Sequence, residues 1–149
     1  MSKQQGFTLI ELVTVIIILG ILAAFAVPRF INVTGAARAA AIEGVGGSVK
    51  AATALAHAAY IVKGVTTSPS TISMDGQEVN LVNGYPAAST TGIAAALQGI
   101  DSFNHVGGAN YTFWLEGDGA TAPDDCKVVY EAAPANGSPT VTVTSGCGV

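Results

Sequence analysis

An apolar run at the start of the chain, residues 7–27, limits the possible folds more than any other feature of the sequence. A helix rises about 1.5 Å per residue, so some 20 residues span the roughly 30 Å hydrocarbon core of a bilayer. Every side chain in the run is apolar, small or a threonine, except that of Glu11. A carboxylate inside a span costs about 2.5–3.5 kcal/mol on insertion scales, and such groups are usually paired and functional. The run therefore predicts a membrane-inserted helix with a functional carboxylate near its beginning.

Two simpler interpretations of this run stay open at this point. A secretory signal has a basic start, an apolar stretch and a small-x-small cleavage site. Here Lys3 is the one basic residue before the run, and Ala24 and Ala26 resemble such a site without a polar mature start after them. A plain anchor fits the length, and Glu11 would then reach back to the lipid headgroups, since it lies only five residues into the run.

The stretch GFTLIELVTVIIILGILAAFAVP resembles the N terminus of type IV pilins, in which a short basic leader ends in Gly, Phe follows, and Glu lies four residues further on. In that family a prepilin peptidase cuts after the Gly and methylates the new terminal amine. The resemblance implies cleavage between Gly6 and Phe7 and N-methylation of Phe7, as in the class a branch. It also implies three parts, which are a leader over residues 1–6, a hydrophobic transmembrane and polymerisation helix over 7–28, and a globular pilin domain over 29–149.

The resemblance also gives Glu11 a role in assembly. In a filament, the ammonium of Phe7 on one subunit and the carboxylate of Glu11 on its neighbour would neutralise each other. Pairing a charge that is otherwise stranded in an apolar medium favours one axial register over all others. Similar pilins lose helix between positions that match Gly20 and Pro28, and Pro28 cannot donate a bond to the carbonyl of Ala24.

Charge is sparse, at 11% of residues, and it is divided unevenly along the chain. After Ile61 there are two lysines and eight acidic residues, a net charge of −6. This acidic half does not support nucleic-acid binding through a basic patch. A low charge content is typical of a protein that buries much of its surface in an assembly.

The two cysteines, Cys126 and Cys147, both lie near the C terminus. With an export signal, a disulfide between them is the natural interpretation, and two isolated cysteines do not make a zinc site. The closed loop of about 20 residues is worth roughly 3 kcal/mol in the chain-entropy estimate. The resemblance agrees, because pilins commonly join a C-terminal loop in this way.

Beyond the apolar run, apolar residues continue at spacings of three and four and predict one helix to about Val62. The apolar face comprises Ile42, Val45, Val49, Ala52, Leu55, Ala56, Ala59 and Val62, and the opposite face holds Arg38, Glu43, Lys50 and Lys63.

After Gly64 the sequence predicts a hairpin turning at Asp75 and Gly76, a turn in NGYP, and a short helix in STTGIAAALQG capped at Thr90 or Thr91. Three strands follow, in YTFWLE, CKVVYEA and TVTVTSG. The fold class is therefore α+β, with one long N-terminal α-helix packed on a C-terminal antiparallel β-sheet, which is also the pilin fold. The segment DGQEVNLVNGYPAASTTGI is similar to the middle of pilins of the mannose-sensitive haemagglutinin (MSHA) type.

The sequence offers little that could carry catalysis. His57 lies among alanines on the predicted helix and His105 in a predicted loop, and no nucleophile elbow or phosphate-binding loop occurs. The loop EGDGATAPDD contains four carboxylates, but their spacing is not that of an EF-hand, so a solvated loop is expected. We therefore expect no enzyme activity, no metal and no cofactor. The loop's acidic residues are Glu116, Asp118, Asp124 and Asp125.

The resemblance implies the major structural subunit of a type IV pilus. The precursor would lie in the inner membrane with its C-terminal domain in the periplasm, and would then enter an extracellular filament for adhesion, biofilm formation or surface motility. The expected partners are further copies of the chain, prepilin peptidase, the pilus assembly machinery, the inner membrane, and host or environmental surfaces, with no nucleic acid. One alternative is a pseudopilin of a type II secretion system. Another is a periplasmic binding or enzymatic domain on a simple anchor.

Overall fold

One long helix forms the axis of the molecule. The computed structural model describes residues 6–64, 67–119 and 121–148, and residues 26–32 as backbone only. Helix α1 runs over Leu9–Val62, 54 residues, which is about 81 Å of helix. Gly64, with a φ of 63°, follows the helix in a left-handed conformation that glycine adopts without a steric penalty. The single continuous helix predicted from the apolar spacing is confirmed.

A small antiparallel sheet follows the helix, with the strand order β1-β2-β3. Its first two strands form the hairpin that the sequence predicted, in which Met74 pairs with Gln77 across the turn. The turn residues Asp75 and Gly76 have φ angles of 48° and 82°, and two positive φ angles are what a two-residue type I′ turn requires. The strands are β1 Ser70–Met74, β2 Gln77–Val82 and β3 Tyr85–Pro86.

A second antiparallel sheet has the order β4-β5-β6-β7. Three of its strands match the predicted ones, whereas β4 was not predicted and includes His105, which the sequence had assigned to a loop. That assignment was wrong because β4 pairs through its backbone, with His105 opposite Phe113, and its short polar sequence shows no alternation. The strands are β4 Phe103–Val106, β5 Tyr111–Leu115, β6 Cys126–Glu131 and β7 Thr140–Ser145.

The short helix predicted in STTGIAAALQG is a π-helix over Thr90–Ala94. Its N-cap is Ser89, one residue before the predicted cap, and it ends five residues before Gly99. Ile93 is fully buried and its backbone N–H donates to the Ala87 oxygen at 2.9 Å. Burial of Ile93 therefore determines where this helix lies, and the helix propensities of its residues do not by themselves predict its first and last residues.

Both sheets pack on the second half of α1 and form two clusters of core residues. On the predicted apolar face, Leu55 is 62% exposed and Val62 85% exposed, so their assignment to that face was wrong, because both point away from the sheets. Ala59 is half-buried at the edge of a cluster. The remaining five residues of the face are buried, namely Ile42, Val45, Val49, Ala52 and Ala56.

The beginning of α1, up to residue 25, is uncovered within the subunit. Its apolar side chains over residues 7–25 are exposed, with Phe7 90% and Phe25 76% accessible. Among the residues that the structure describes, no helix has the combination of length and apolarity needed to cross a membrane. The predicted span over residues 7–28 stays a prediction.

A disulfide between Cys126 and Cys147 closes the C-terminal part of the chain, as predicted. Cys126 begins β6, and Cys147 follows β7, so the bond joins the ends of two paired strands. Both cysteines are nearly fully buried, at 2% and 3% exposure. The Cys147 N–H also donates to the Asp125 oxygen at 3.1 Å, so the end of the chain is held by a covalent bond and a hydrogen bond.

Substitution by alanine at two neighbouring glycines of α1 should have opposite effects on stability. A Cβ added at Gly46 would overlap Cγ2 of Val143 on β7, whereas one added at Gly47 would meet nothing. We expect Gly46→Ala to lower the free energy of unfolding by about 1–3 kcal/mol through overpacking. Gly47→Ala should raise it by up to about 1 kcal/mol, because alanine favours helix. Thermal unfolding of the two variants in detergent checks this, and equal shifts would contradict the close packing of β7 on α1.

Removal of the disulfide should destabilise the C-terminal sheet. Cys126→Ser with Cys147→Ser opens a loop that spans a sequence separation of 21, so we expect a loss of about 3 kcal/mol of unfolding free energy. Denaturant titration of the oxidised and reduced wild-type chain provides the same comparison without mutation. A midpoint that does not change on reduction would contradict a stabilising role of this bond.

Candidate assembly site at the N terminus

Helix α1 begins at a capping box that includes Glu11. The N-cap is Thr8, whose backbone N–H and Oγ1 hydroxyl donate to Glu11 Oε2 at 2.8 and 2.7 Å. In return, the Glu11 N–H donates to Thr8 Oγ1 at 3.3 Å. This reciprocal arrangement satisfies backbone donors that a helix start otherwise leaves unpaired, and a carboxylate in the first turn also complements the helix dipole.

Sequence reasoning missed Thr8, although the T-x-x-E pattern of a capping box was readable in TLIE. The contact has a consequence for assembly. Both Thr8 donors bind the same carboxylate oxygen, Oε2, and no described residue donates to Oε1 of Glu11. The carboxylate is therefore oriented by its own chain, while one of its oxygens stays open to a further donor.

The surroundings of Glu11 are apolar and open. Phe7, Ile10, Thr14 and Val15 line a shallow depression of about 340 Å³ beside its carboxylate. Ile10 is 73% exposed, so this surface has no cover within the subunit. A charge that another molecule brought to Oε1 would lie in an environment of low polarity once the surrounding side chains were covered.

The two residues of the predicted cleavage site lie just before the helix. Gly6 and Phe7 are exposed and non-helical, and a Cβ built at Gly6 meets no atom within 4 Å. The peptide bond between them is therefore accessible and lies outside regular structure. Cleavage there, and methylation of Phe7, stay predictions.

The predicted loss of helix between Gly20 and Pro28 concerns an assembled state. In the single chain, the backbone of α1 is helical through both positions, and Gly20 has open space around it. The side chain of Pro28 lies outside the described residues.

The acidic loop before β6 is more ordered than the sequence indicated. Asp118 was expected to be solvated, but its side chain is only 6% exposed and forms an ion pair with Arg38 on α1. Asp124 pairs with Lys127 at 3.0 Å. Arg38 had been placed on the face opposite the apolar one, and this was wrong, because it lies four residues before the buried Ile42 and therefore on the same face of α1. Within the described ranges, no group of three or more potential ligands could hold a metal ion.

Glu43, also predicted on the outer face of α1, contacts the sheet as well. Its Oε1 accepts a hydrogen bond from the Ser145 hydroxyl of β7 at 3.1 Å. Lys50 and Lys63 are exposed, as predicted.

Both histidines are held in packing contacts. The His57 ring stacks on Tyr85 with 4.0 Å between centroids, and its Nδ1 lies 2.9 Å from the Gly84 oxygen. His105 Nδ1 lies 2.7 Å from the hydroxyl of Tyr111, and burial raises the pKa of that hydroxyl. Burial likewise raises the pKa of Tyr130. Its hydroxyl donates to the Pro86 oxygen at 2.6 Å, so it stays protonated within the core.

Comparisons with known proteins agree with the N-terminal geometry. Residues 1–27 match the family described as the prokaryotic N-terminal methylation motif. The chain is also 48% identical over 54 residues to the type IV narrow pilus major component PilA5 of Thermus thermophilus, a match covering 36% of this chain and 47% of that relative. The chain thus spans about half the length of the curated relative that it matches. No solved structure matches the chain. The resemblance to type IV pilins is confirmed in these residues, which contain a prepilin-type N terminus.

Proposed function

We propose that this chain is the precursor of the major structural subunit of a type IV pilus, a polymer subunit and not an enzyme. The observation that carries the proposal is Glu11, a preoriented carboxylate at the start of an uncovered apolar helix with a prepilin-type N terminus. The precursor waits in the inner membrane with its sheets in the periplasm. After prepilin peptidase cuts at Gly6, the assembly machinery adds it to an extracellular filament that contacts host or environmental surfaces.

Burial of the apolar half of α1 against other copies holds the filament together once the subunits have left the membrane. Outside the bilayer, keeping one Leu or Ile side chain away from water stabilises by about 1.5–3 kcal/mol, and many such residues are exposed over residues 7–25 of the single chain. That attraction is non-directional, so it does not select an axial register. An ammonium on Phe7 that reaches the open Oε1 of a neighbouring Glu11 does select one, because every other register leaves both charges unpaired.

The second candidate is a pseudopilin of a type II secretion system, because pseudopilins share the prepilin-type N terminus that the chain matches. The C-terminal disulfide favours a pilus subunit. Abundant filaments sheared from the outside of cells identify a pilin, whereas processed protein found only in membranes identifies a pseudopilin. The MSHA type is a further prediction, which rests on residues 75–93.

Two substitutions of Glu11 separate its charge from its role in the capping box. Glu11→Ala removes both, whereas Glu11→Gln keeps an acceptor for Thr8 and removes only the charge. We expect both variants to be cleaved and membrane-inserted normally, and both to lose filaments or form them out of register. Filament yield by electron microscopy of sheared material measures this.

A matched control is Glu78→Ala, which removes an exposed carboxylate from β2, away from the helix. It should assemble like the wild type. If Glu11→Gln yields filaments in normal number and order, then the charge is not what selects the register, and the pairing mechanism is wrong.

Substitution of Gly6 tests the cleavage site. We expect Gly6→Ala to block processing, so that the intact mass begins at Met1. The wild-type chain should begin at Phe7, with one added methyl group and two hydrogens fewer for the disulfide. Gly20→Ala serves as the control because it also adds a methyl group at an uncrowded position. If the Gly6→Ala chain is still cleaved and has the same mature mass as the wild type, the assignment of the cleavage site is wrong.

A further inference from the structure

A groove of about 400 Å³ lies between the end of α1 and the beginning of β7. Its walls are mainly apolar and include Ile61, Pro139 and Val141, and its polar side chains include Lys50, His57 and Tyr85. None of the described residues that line it is acidic. Lys50 is exposed and makes no ion pair with a described residue. An apolar groove with one unpaired cation at its rim fits a segment that combines small apolar residues with a carboxylate.

The loop before β6 has that composition. Over residues 121–125 it presents Ala122 and Pro123, half-buried, followed by the exposed residues Asp124 and Asp125. Asp124 is paired with Lys127, whereas Asp125 makes no ion pair with a described residue. The disulfide at Cys126 fixes the segment on one side. Asp125 lines a small cavity together with Arg38, but Arg38 is paired with Asp118. The segment is therefore an exposed partner whose Asp125 carboxylate makes no ion pair with a described residue.

The groove and this loop lie at opposite ends of the globular part, because β7 runs antiparallel to α1. Val141, near the start of β7, lines the groove together with Lys50, whereas Ser145 at its end bonds to Glu43. The acidic loop is tied to the same end as Ser145, since Cys126 pairs with it. Within one chain the loop therefore cannot reach the groove. Arg38, which binds the loop, precedes His57 of the groove by 19 residues, or about 28 Å of helix.

We infer that the groove at Lys50 receives residues 121–125 of a second copy of this chain, with Asp125 paired to Lys50. This inference rests on the proposed pilus function and adds the contact between globular domains. The two surfaces differ and face opposite ways along α1, so the contact is heterologous. Repetition of such a contact gives an open filament when the rotation does not close a ring.

Carbodiimide crosslinking of wild-type filaments tests the contact directly, because it joins an amine to a carboxylate only when the two touch. We expect a ladder of covalent multimers whose linked peptides join Lys50 to Asp125. Lys50→Arg is the matched control, since it keeps the charge and should keep the filaments but cannot form the amide. Linked peptides that map to other residues, with Lys50 and Asp125 unmodified, would overturn the inference.

Charge reversal provides an independent measurement. We expect Lys50→Glu and Asp125→Lys each to lower the filament yield at least fivefold at low salt, and the double variant to return it to within twofold of the wild type. Normal amounts of the processed chain would show that both single variants fold. Unchanged yield in both single variants would overturn the contact. A wild-type chain that forms no filaments at all would instead contradict the proposed function.

Discussion

The close approach of β7 to α1 at Gly46 and Val143 positions most of the globular part. Through this contact the four-stranded sheet lies directly against the second half of the helix, and the residues between them form its core. The direction of β7 then places the disulfide and the acidic loop at one end of that half and the groove at the other. β7 is an edge strand of its sheet and contacts α1 along its length, so a shift of β7 along α1 would move both ends together.

The same helix has a different role over its described residues up to 25, which are exposed. Exposed Leu, Ile and Phe side chains give this half a strong tendency to associate, but hydrophobic burial alone is insensitive to a slide along the axis. Glu11 supplies the missing specificity. Thr8 holds its carboxylate in one orientation, so less conformational freedom is lost when a neighbouring charge binds the open oxygen.

Features with a local cause were predictable from the sequence. The spacing of apolar residues predicted α1, and the turn residues Asp75 and Gly76 predicted the first hairpin. The alternation of apolar and polar residues predicted β5, β6 and β7. The capping box at Thr8 was readable too, since its two residues are three apart. The features missed depend on distant parts of the chain. Strand β4 forms because Phe113 and its neighbours offer a backbone partner, and the Arg38–Asp118 pair joins residues 80 positions apart. Likewise, the period of α1 does not say which side the sheets cover, so Leu55 was placed wrongly.

Sparse charge gives each unpaired side chain more influence over how copies of the chain meet. Exposed ion pairs contribute at most about 1 kcal/mol each, so a single Lys50–Asp125 contact would add little to the binding energy of two domains. In a filament the same contact repeats at every subunit, and a wrong arrangement repeats its unpaired charges as often. A weak pair can therefore select an arrangement whose strength comes from elsewhere. The N terminus works in the same way. There, apolar burial stabilises the filament, and the charge of Glu11 selects the axial register.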